Sequence, residues 1–353
     1  MANALISLLD ITKRKGGDQE IGLLEDTIIY APELGAIMGR PIVGTQYKTV
    51  HRSLPTVAFR IANNGSATVK GMYRDSLHEC SIIDAQLQVD TAVVDAAAPG
   101  DGPQSDIGDP LFDEASGVIQ GVYITAGAQL YYGTANDVNG FGGIAPFVGT
   151  SNAAANTTPV CVKAGGSSAN AQTSVYFIWE NIRGAHFIFG KNRGITMMPE
   201  WRTQQVNGAN SLPLTALVNN IQGWLGFAIN HPLSVARLCN INGPTDGYPV
   251  TDRLIAAVLS WLPLQMQAEA MANLNTGGPN KFGPGLKILM NPQAFYGLQN
   301  SRTPIMLNAG TAATVGTAIT SDKPLQYPRM DLQSNGIPIV LTNSITNTEA
   351  VVA

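Results

Sequence analysis

The chain has 353 residues, enough for two or three domains, yet only 13% are Asp, Glu, Lys or Arg, against roughly 25% in an ordinary soluble protein. Its formal net charge of -4 argues against a protein that works by neutralising phosphates. No run approaches the roughly 18 apolar residues of a membrane span, and the apolar stretch Ala4 to Leu9 precedes the basic cluster Lys13, Arg14, Lys15, the reverse of an export signal.

Gly, Ala, Asn, Thr, Ser and Gln stand where charge is missing. Two readings fit: a neutral-polar globule, or a surface covered by neighbours, because interface cores are depleted in Lys, Glu and Asp. Cys80, Cys161 and Cys239 lack CxxC spacing and nearby His partners, so they read as small buried hydrophobes rather than disulfides or a metal site.

The first forty residues hold two short helical patterns. In the second, Asp18 can cap, Ile21, Leu24 and Ile28 share a face, and Pro32 stops the run. Two short amphipathic turns cannot bury their own stripes, so this segment reads as an arm lying on something else.

From Pro41 the pattern becomes extended. Tyr47, Thr49, Val50, then Val57, Phe59 and Ile61 favour strands, Asn63-Asn64-Gly65-Ser66 marks a turn, and Ala67 to Met72 forms the return limb. The charge of this hairpin is one-sided, with Lys48, Arg52, Arg60, Lys70 and Arg74 against Asp75. Beyond Arg74 no Lys or Arg occurs until Lys163, while acidic residues from Asp75 to Asp137 accumulate. A basic hairpin beside an acidic body suits neighbours that reach over each other, and it equally suits a solvated face.

Asp109-Pro110 opens the longest helical pattern, an N-cap with proline at the first helical position. Leu111, Ala115, Val118, Val122, Ala126 and Leu130 keep one stripe, and the helix is expected to end near Gly133. Gly117, Gly121 and Gly127 weaken it intrinsically by up to ~1 kcal/mol each, so packing must hold it, with close backbone approach expected at the glycines. Strands are expected around 160–162, 174–179, 185–189, 217–221 and 224–229. Thr251-Asp252 starts a second helix bent at Pro263. Leu286 to Met290 is a strand leading into the capped helix at Asn291-Pro292, and Gly336 to Ile345 reads as a closing strand. Without a βαβ rhythm the class is α+β.

Catalytic constellations do not emerge. The segment 278–285 (GPNKFGPG) lacks the phosphate-loop order, and the glycines at 140–143 follow a helix instead of a strand. His51, His78, His186 and His231 are scattered. No catalytic, cofactor or metal residue is assigned, and an enzyme is not expected.

Several segments, taken in order, resemble the major capsid proteins of tailed bacteriophages of the Hong Kong 97 type, podovirus-like members included. They are Leu54 to Arg60 followed by Asn64-Gly65; Val89-Asp90; Leu130-Tyr131-Tyr132-Gly133 with Asn139 to Ile144; Val175 to Trp179 and His186 to Phe189 with Lys191; Gly223 to Ile229 with Arg237 and Asn240 to Asn242; and Lys287 to Asn291 with Gly336 to Glu349. Departures fall at Gly190, where the family favours proline, and at Leu225, where it favours an acidic residue.

The resemblance implies a capsid fold with an N-terminal arm (1–40), an extended hairpin loop (41–80), a peripheral domain with a long spine helix (81–150), a strand-rich segment expected with the peripheral domain (151–245) and an axial domain (246–353). It implies a coat subunit that self-assembles into pentamers and hexamers of an icosahedral shell around double-stranded DNA, built in the bacterial cytoplasm and residing in the virion. Arg52, Phe59, Arg60, Lys70 and Arg74 become the expected subunit-interface residues. Expected partners are other copies of the chain, a portal and a separate scaffolding protein, with a decoration protein as a further candidate, and neither membrane nor cofactor. The alternatives are an encapsulin-like bacterial compartment shell, which would share the fold, and a hydrolase using Asp252 or His231.

Overall fold

The computed structural model describes residues 29, 31–97, 110–149, 159–190, 194–208, 211–269, 285–302 and 332–352. The helical patterns expected before residue 29 lie outside these. In chain order come α1 (Glu33–Ala36), β1 (Gly39–Pro41), β2 (Gln46–Ser53), β3 (Met72–Glu79), β4 (Ser81–Asp90), α2 (Thr91–Ala97), α3 (Pro110–Tyr132) and α4 (Ile144–Val148). Strands β5 (Val160–Lys163), β6 (Thr173–Glu180), β7 (Ala185–Phe189), β8 (Thr196–Met197), β9 (Arg202–Asn207), β10 (Pro213–Ile229) and β11 (Val235–Ile241) follow. The last group is α5 (Gly243–Asp246), α6 (Asp252–Leu259), β12 (Gly285–Met290), α7 (Pro292–Ser301), β13 (Gln333–Ser334) and β14 (Ile337–Leu341).

The chain divides into two compact units. One comprises 39–143 and 186–228 with Glu33 and Leu34; the other comprises 35–38, 144–185 and the chain from 229. The strand-rich segment expected as one piece is therefore split. Residues 186–228 belong with the long helix, whereas 159–185 and 229–245 belong with the C-terminal strands.

In the first unit, β10 is the organiser. Its 17 residues pair with β4 along one edge and with β8 and β9 along the other, all antiparallel. Two strands expected at 217–221 and 224–229 are thus one, because Gly223 tolerates what any side chain would not: a Cβ there would sit 2.7 Å from the Ile195 Cα. Strand β4 alternates with period two. Ile83, Ala85, Leu87 and Val89 face inward, and Ile82, Asp84, Gln86 and Gln88 face outward. On the inward face lies α3, whose Val118, Ile119 and Val122 pack with Leu87, Ile83 and Ile221. Full burial of each such side chain stabilises by roughly 1.5–3 kcal/mol, which offsets the helix's glycines. Close backbone approach is not the reason Gly117 and Gly121 are tolerated, since both face open space.

Gly133 ends the helix with φ +55°, and a Cβ on it would lie 2.3 Å from the Gly143 amide nitrogen. Here two glycine backbones lie back to back. The intervening loop is pinned by Gln129, which donates to the Phe141 carbonyl at 2.7 Å and accepts from Asn136 at 3.0 Å. Gly133→Ala is therefore expected to cost about 2–4 kcal/mol, from the left-handed backbone plus the clash, measurable as a lowered midpoint in denaturant melts. Gly190 and Leu225 also acquire reasons. A Cβ at 190 would meet the Trp224 Cβ at 2.9 Å, and Leu225 is fully buried, where a carboxylate would be unpaid desolvation.

In the second unit the strand order is β5-β11-β6-β12-β14-β13. One face carries Val175, Phe177, Trp179, Leu238, Leu286 and Ile288, and it is covered by Ile255, Val258 and Leu259 of α6 and Phe295 and Leu298 of α7. The other face carries Tyr176, Ile178, Arg237 and Lys287, also buried. Burial on both faces explains why β6 reads as a continuous apolar run.

Both helices start as their sequences dictate. Thr251 Oγ1 accepts from the Leu254 amide at 3.2 Å, and Asn291 Oδ1 from Ala294 at 2.7 Å. The chain bends after α6 and turns helical again over 264–269 behind Pro263. Asp252 ties α6 to α7 through paired bonds from Arg302 at 2.8 and 2.9 Å. Those bonds, led by Arg302 with help from Ser334, hold the Asp252 carboxyl below its usual 3.8. A depressed folded-state pKa contributes stability that is present above the unfolded value and lost as pH falls. Acid melts below about pH 4 should therefore lose part of this unit's stability, and Asp252→Asn should flatten that stretch of the profile.

Of the arm expected over 1–40, the described part near its C-terminal end makes contacts within its own chain. Glu33 is buried and accepts from the Tyr131 hydroxyl at 3.2 Å, the Ala36 carbonyl accepts from Lys287, and β1 pairs in parallel with β7. Residues 33–41 are built into their own subunit, because a buried carboxylate and a strand ladder there need those partners.

Candidate assembly surface

Among the described residues, the outer part of the hairpin presents a run of exposed side chains. Strands β2 and β3 pair from Gln46↔Glu79 to Ser53↔Met72 and form a separate two-stranded sheet. Pairing stops there. Residues 54–71 run out and back without strand pairing, turning where the Asn64 amide donates to the Ile61 carbonyl at 3.2 Å and Asn63 adopts φ 67°. The expected turn is in place, but the paired region is nearer the base than the residues 57–61 that favour strands.

At the base, Tyr47 packs edge-on against His186, accepts a hydrogen bond from Arg40 at 3.2 Å and lies under its guanidinium. One ribbon face is held by Thr49 and Ser76 hydroxyls 2.8 Å apart, with His51 beside them. On the other face Lys48 and Asp75 pair at 2.9 Å, and Lys48 holds the Asp75 carboxyl below its usual range. Both groups are largely exposed, so this contact is worth little.

The five residues singled out from sequence are all exposed on this element. Arg52 sits opposite Tyr73 and Arg74 opposite His51, so the two arginines lie on different faces of the ribbon. Phe59 is fully exposed at 108%, and Lys70 is on the return limb. Arg60 differs in donating to the Asn64 carbonyl, so it also braces the turn. The structure does not gather the five into one patch.

Sequence reasoning missed the apolar company Phe59 keeps. Leu54, Val57, Ile61, Val69, Met72 and Tyr73 are each at least half exposed. A soluble monomer seldom displays so many apolar side chains on one projection. A lone two-stranded ribbon is marginal in water, so both its surface and its stability call for a partner. The signal was available in the apolar residues on both limbs of the expected hairpin.

A family model for "Major capsid protein GP7" matches residues 43–353, from the hairpin to the end of the chain. The chain belongs to this family of phage capsid proteins. No curated protein sequence matches it. Among solved structures, a chain of bacteriophage Epsilon15 aligns over 100% of this chain and 98% of its own, with 18% identity and a TM-score of 0.57, which establishes the shared fold. Weaker likenesses include a chain of Mycobacterium phage Bobi (11% identity, 66% of this chain and 98% of that one, TM-score 0.42). Another is the encapsulin SrpI of Synechococcus elongatus (12% identity, 68% and 98%, TM-score 0.41). The protein is a phage coat subunit of the Hong Kong 97-like fold, a building block of an icosahedral shell and a component of the virion. As a capsid protein it meets copies of itself, and the covered-surface reading of its low charge is the one that fits.

Proposed function

We propose that the coat subunit closes its shell by laying the hairpin over an adjacent subunit, with Phe59 as apolar anchor and Arg52, Arg60, Lys70 and Arg74 as electrostatic guides. The observation that carries this is the exposed apolar tip at 54–71 on a ribbon that has no third strand among the described residues. Its receiver is a surface of the neighbour that carries carboxylates, for which Asp84, exposed on the outward row of β4, offers one. Complementary charge sets register and encounter rate more than affinity, and apolar burial supplies the strength.

In this reading the first unit is extended loop plus peripheral domain, the strands at 186–228 included. The second unit is the axial domain and includes 159–185 and 229–245, which the resemblance places with the periphery. Residues before 29 remain the candidate arm. The subunit acts mechanically and has no catalytic role. It encloses double-stranded DNA without reading its sequence, and it is assembled in the host cytoplasm on a separate scaffolding protein around a portal. Electron microscopy of the protein expressed with and without its genomic neighbours tests this. Closed polyhedra that need a neighbour's product support the scaffold, while correct shells at full efficiency from the coat protein alone rule it out. A monomer under every condition would sink the hairpin mechanism itself.

A further inference from the structure

Two of the three cysteines lie side by side in the second unit. Cys161 on β5 and Cys239 on β11 have their sulfurs 3.3 Å apart, and both are free and buried. Their strands run parallel with Cys161 opposite Arg237 and Lys163 opposite Cys239, so all four side chains project from the same face. That face is the one opposite the helix-covered core. Cys80 lies in the other unit, where its thiol donates to the Ile188 carbonyl.

From this juxtaposition we propose that Cys161 and Cys239 form a disulfide when the coat protein leaves the reducing cytoplasm, a modification site that staples the short strand β5 to β11. The sulfurs need to close from contact distance to a bond of roughly 2.05 Å, and because the register sets the two cysteines diagonally, the closure draws the short strand β5 toward β11 as well as rotating the side chains. Chemistry assigns the roles. The Cys239 thiol donates to the Val162 carbonyl at 3.4 Å or to the neighbouring sulfur. Its S–H, followed by the charges of Arg237 and Lys163, favours the thiolate of Cys161, whose pKa falls to about 7 although burial opposes this. Cys161 is then the attacking sulfur and Cys239 the resolving one.

The oxidant is a small peroxide, which a closed site admits more readily than a bulky disulfide. The Cys161 thiolate attacks one peroxide oxygen, the O–O bond breaks, and the sulfenic acid forms as hydroxide leaves and takes up a proton as water. Cys239 then attacks the Cys161 sulfur, the S–O bond breaks, and the second hydroxide leaves as water with the Cys239 proton. Two thiols and one hydrogen peroxide give one disulfide and two waters. Strand β5 is the gainer. Among the described residues its only ladder is with β11, over four residue pairs, and the bond would join positions 78 apart in the chain.

The test uses intact shells, prepared under reductant and freed of it, then exposed to hydrogen peroxide. Denaturation with an alkylating agent counts the remaining thiols, and non-reducing proteolysis with mass spectrometry locates the bond. The expected result is loss of two of the three alkylatable thiols, restored by reductant, with peptides containing Cys161 and Cys239 linked and Cys80 still alkylated. Cys161→Ser and Cys239→Ser shells should lose no thiol pair. Three free thiols after peroxide, oxidation that ends at sulfinic acid, or a bond involving Cys80 would each overturn the assignment. The parent-protein arms carry the decision by themselves, so a variant that fails to fold leaves the test decisive.

Discussion

A subunit carrying Phe59→Asp is expected to fold as the parent does and to fail at shell closure. The first half follows from exposure: the Phe59 ring is fully solvated within its own subunit, and surface changes of this kind stay within about 0.5 kcal/mol. The second half follows from what assembly would bury. Covering a phenylalanine side chain is worth roughly 1.5–3 kcal/mol, about 10- to 150-fold in each contact, and placing a carboxylate there adds a desolvation cost. Because a shell repeats the contact at every subunit, the penalty recurs around each ring. Circular dichroism melts of the unassembled protein should overlay, while electron microscopy and sedimentation should show capsomers or monomers in place of shells. Arg52→Glu with Arg74→Glu should instead slow assembly at low salt and matter less as salt rises, since exposed charges are screened beyond about 8 Å at physiological ionic strength. Normal shells at normal rates from Phe59→Asp would remove the hairpin from the mechanism.

Lys287→Ala is expected to destabilise the subunit by about 3–5 kcal/mol, enough to compromise folding in a marginally stable protein. Lys287 is 1% exposed and donates to both Glu180 and the Ala36 carbonyl, so its removal leaves a carboxylate at 4% exposure without its cation. Burial already raises the Glu180 carboxyl above its usual 4.5, against the pull of Lys287. In the variant that pull is gone and the carboxyl rises further. A raised folded-state pKa means stability is greatest below the unfolded value and is lost as pH climbs through the folded one. The variant's deficit should therefore be smaller near pH 4 than at pH 7, the opposite sign to the Asp252 contribution. The double change Lys287→Met with Glu180→Leu should recover most of the loss, because well-packed apolar residues often match a buried ion pair. Denaturant titrations at the two pH values check both statements. An equal deficit at both would mean the pair is not carrying charge.

Much of the architecture is legible from neighbouring residues alone. The helix at 110–132, the capped starts at Thr251 and Asn291, and the turn at 63–66 each depend on short-range chemistry: a side-chain oxygen within three residues, a proline at N1, an asparagine or glycine that accepts positive φ. Strand β4 is only touched in the sequence, through Val89-Asp90. Its alternation of Ile83, Ala85, Leu87 and Val89 with Asp84, Gln86 and Gln88 is regular, but the acidic residues spread over 75–137 draw the eye to charge instead of period. For the assembly surface, the basic residues and Phe59 are readable as types in a hairpin, whereas their distribution over two ribbon faces follows only from the register.

What the sequence determines by itself is therefore local and compositional: the elements, their caps, the scarcity of charge that marks a covered surface, and an ordered set of segments pointing to a coat protein. The tertiary structure alone decides how the chain is shared between its two units. It gives 186–228 to one and the flanking strands to the other, because strand partners are chosen by ladders between residues far apart in sequence. It also decides which polar residues are buried as pairs. Glu180 with Lys287, and Arg237 with Glu349 at 2.9 Å, are separated by over a hundred positions, and no local pattern could join them. The physical reason is the same in each case. Backbone propensity and capping act over a few residues, while burial and ion pairing act across space that only the folded chain creates.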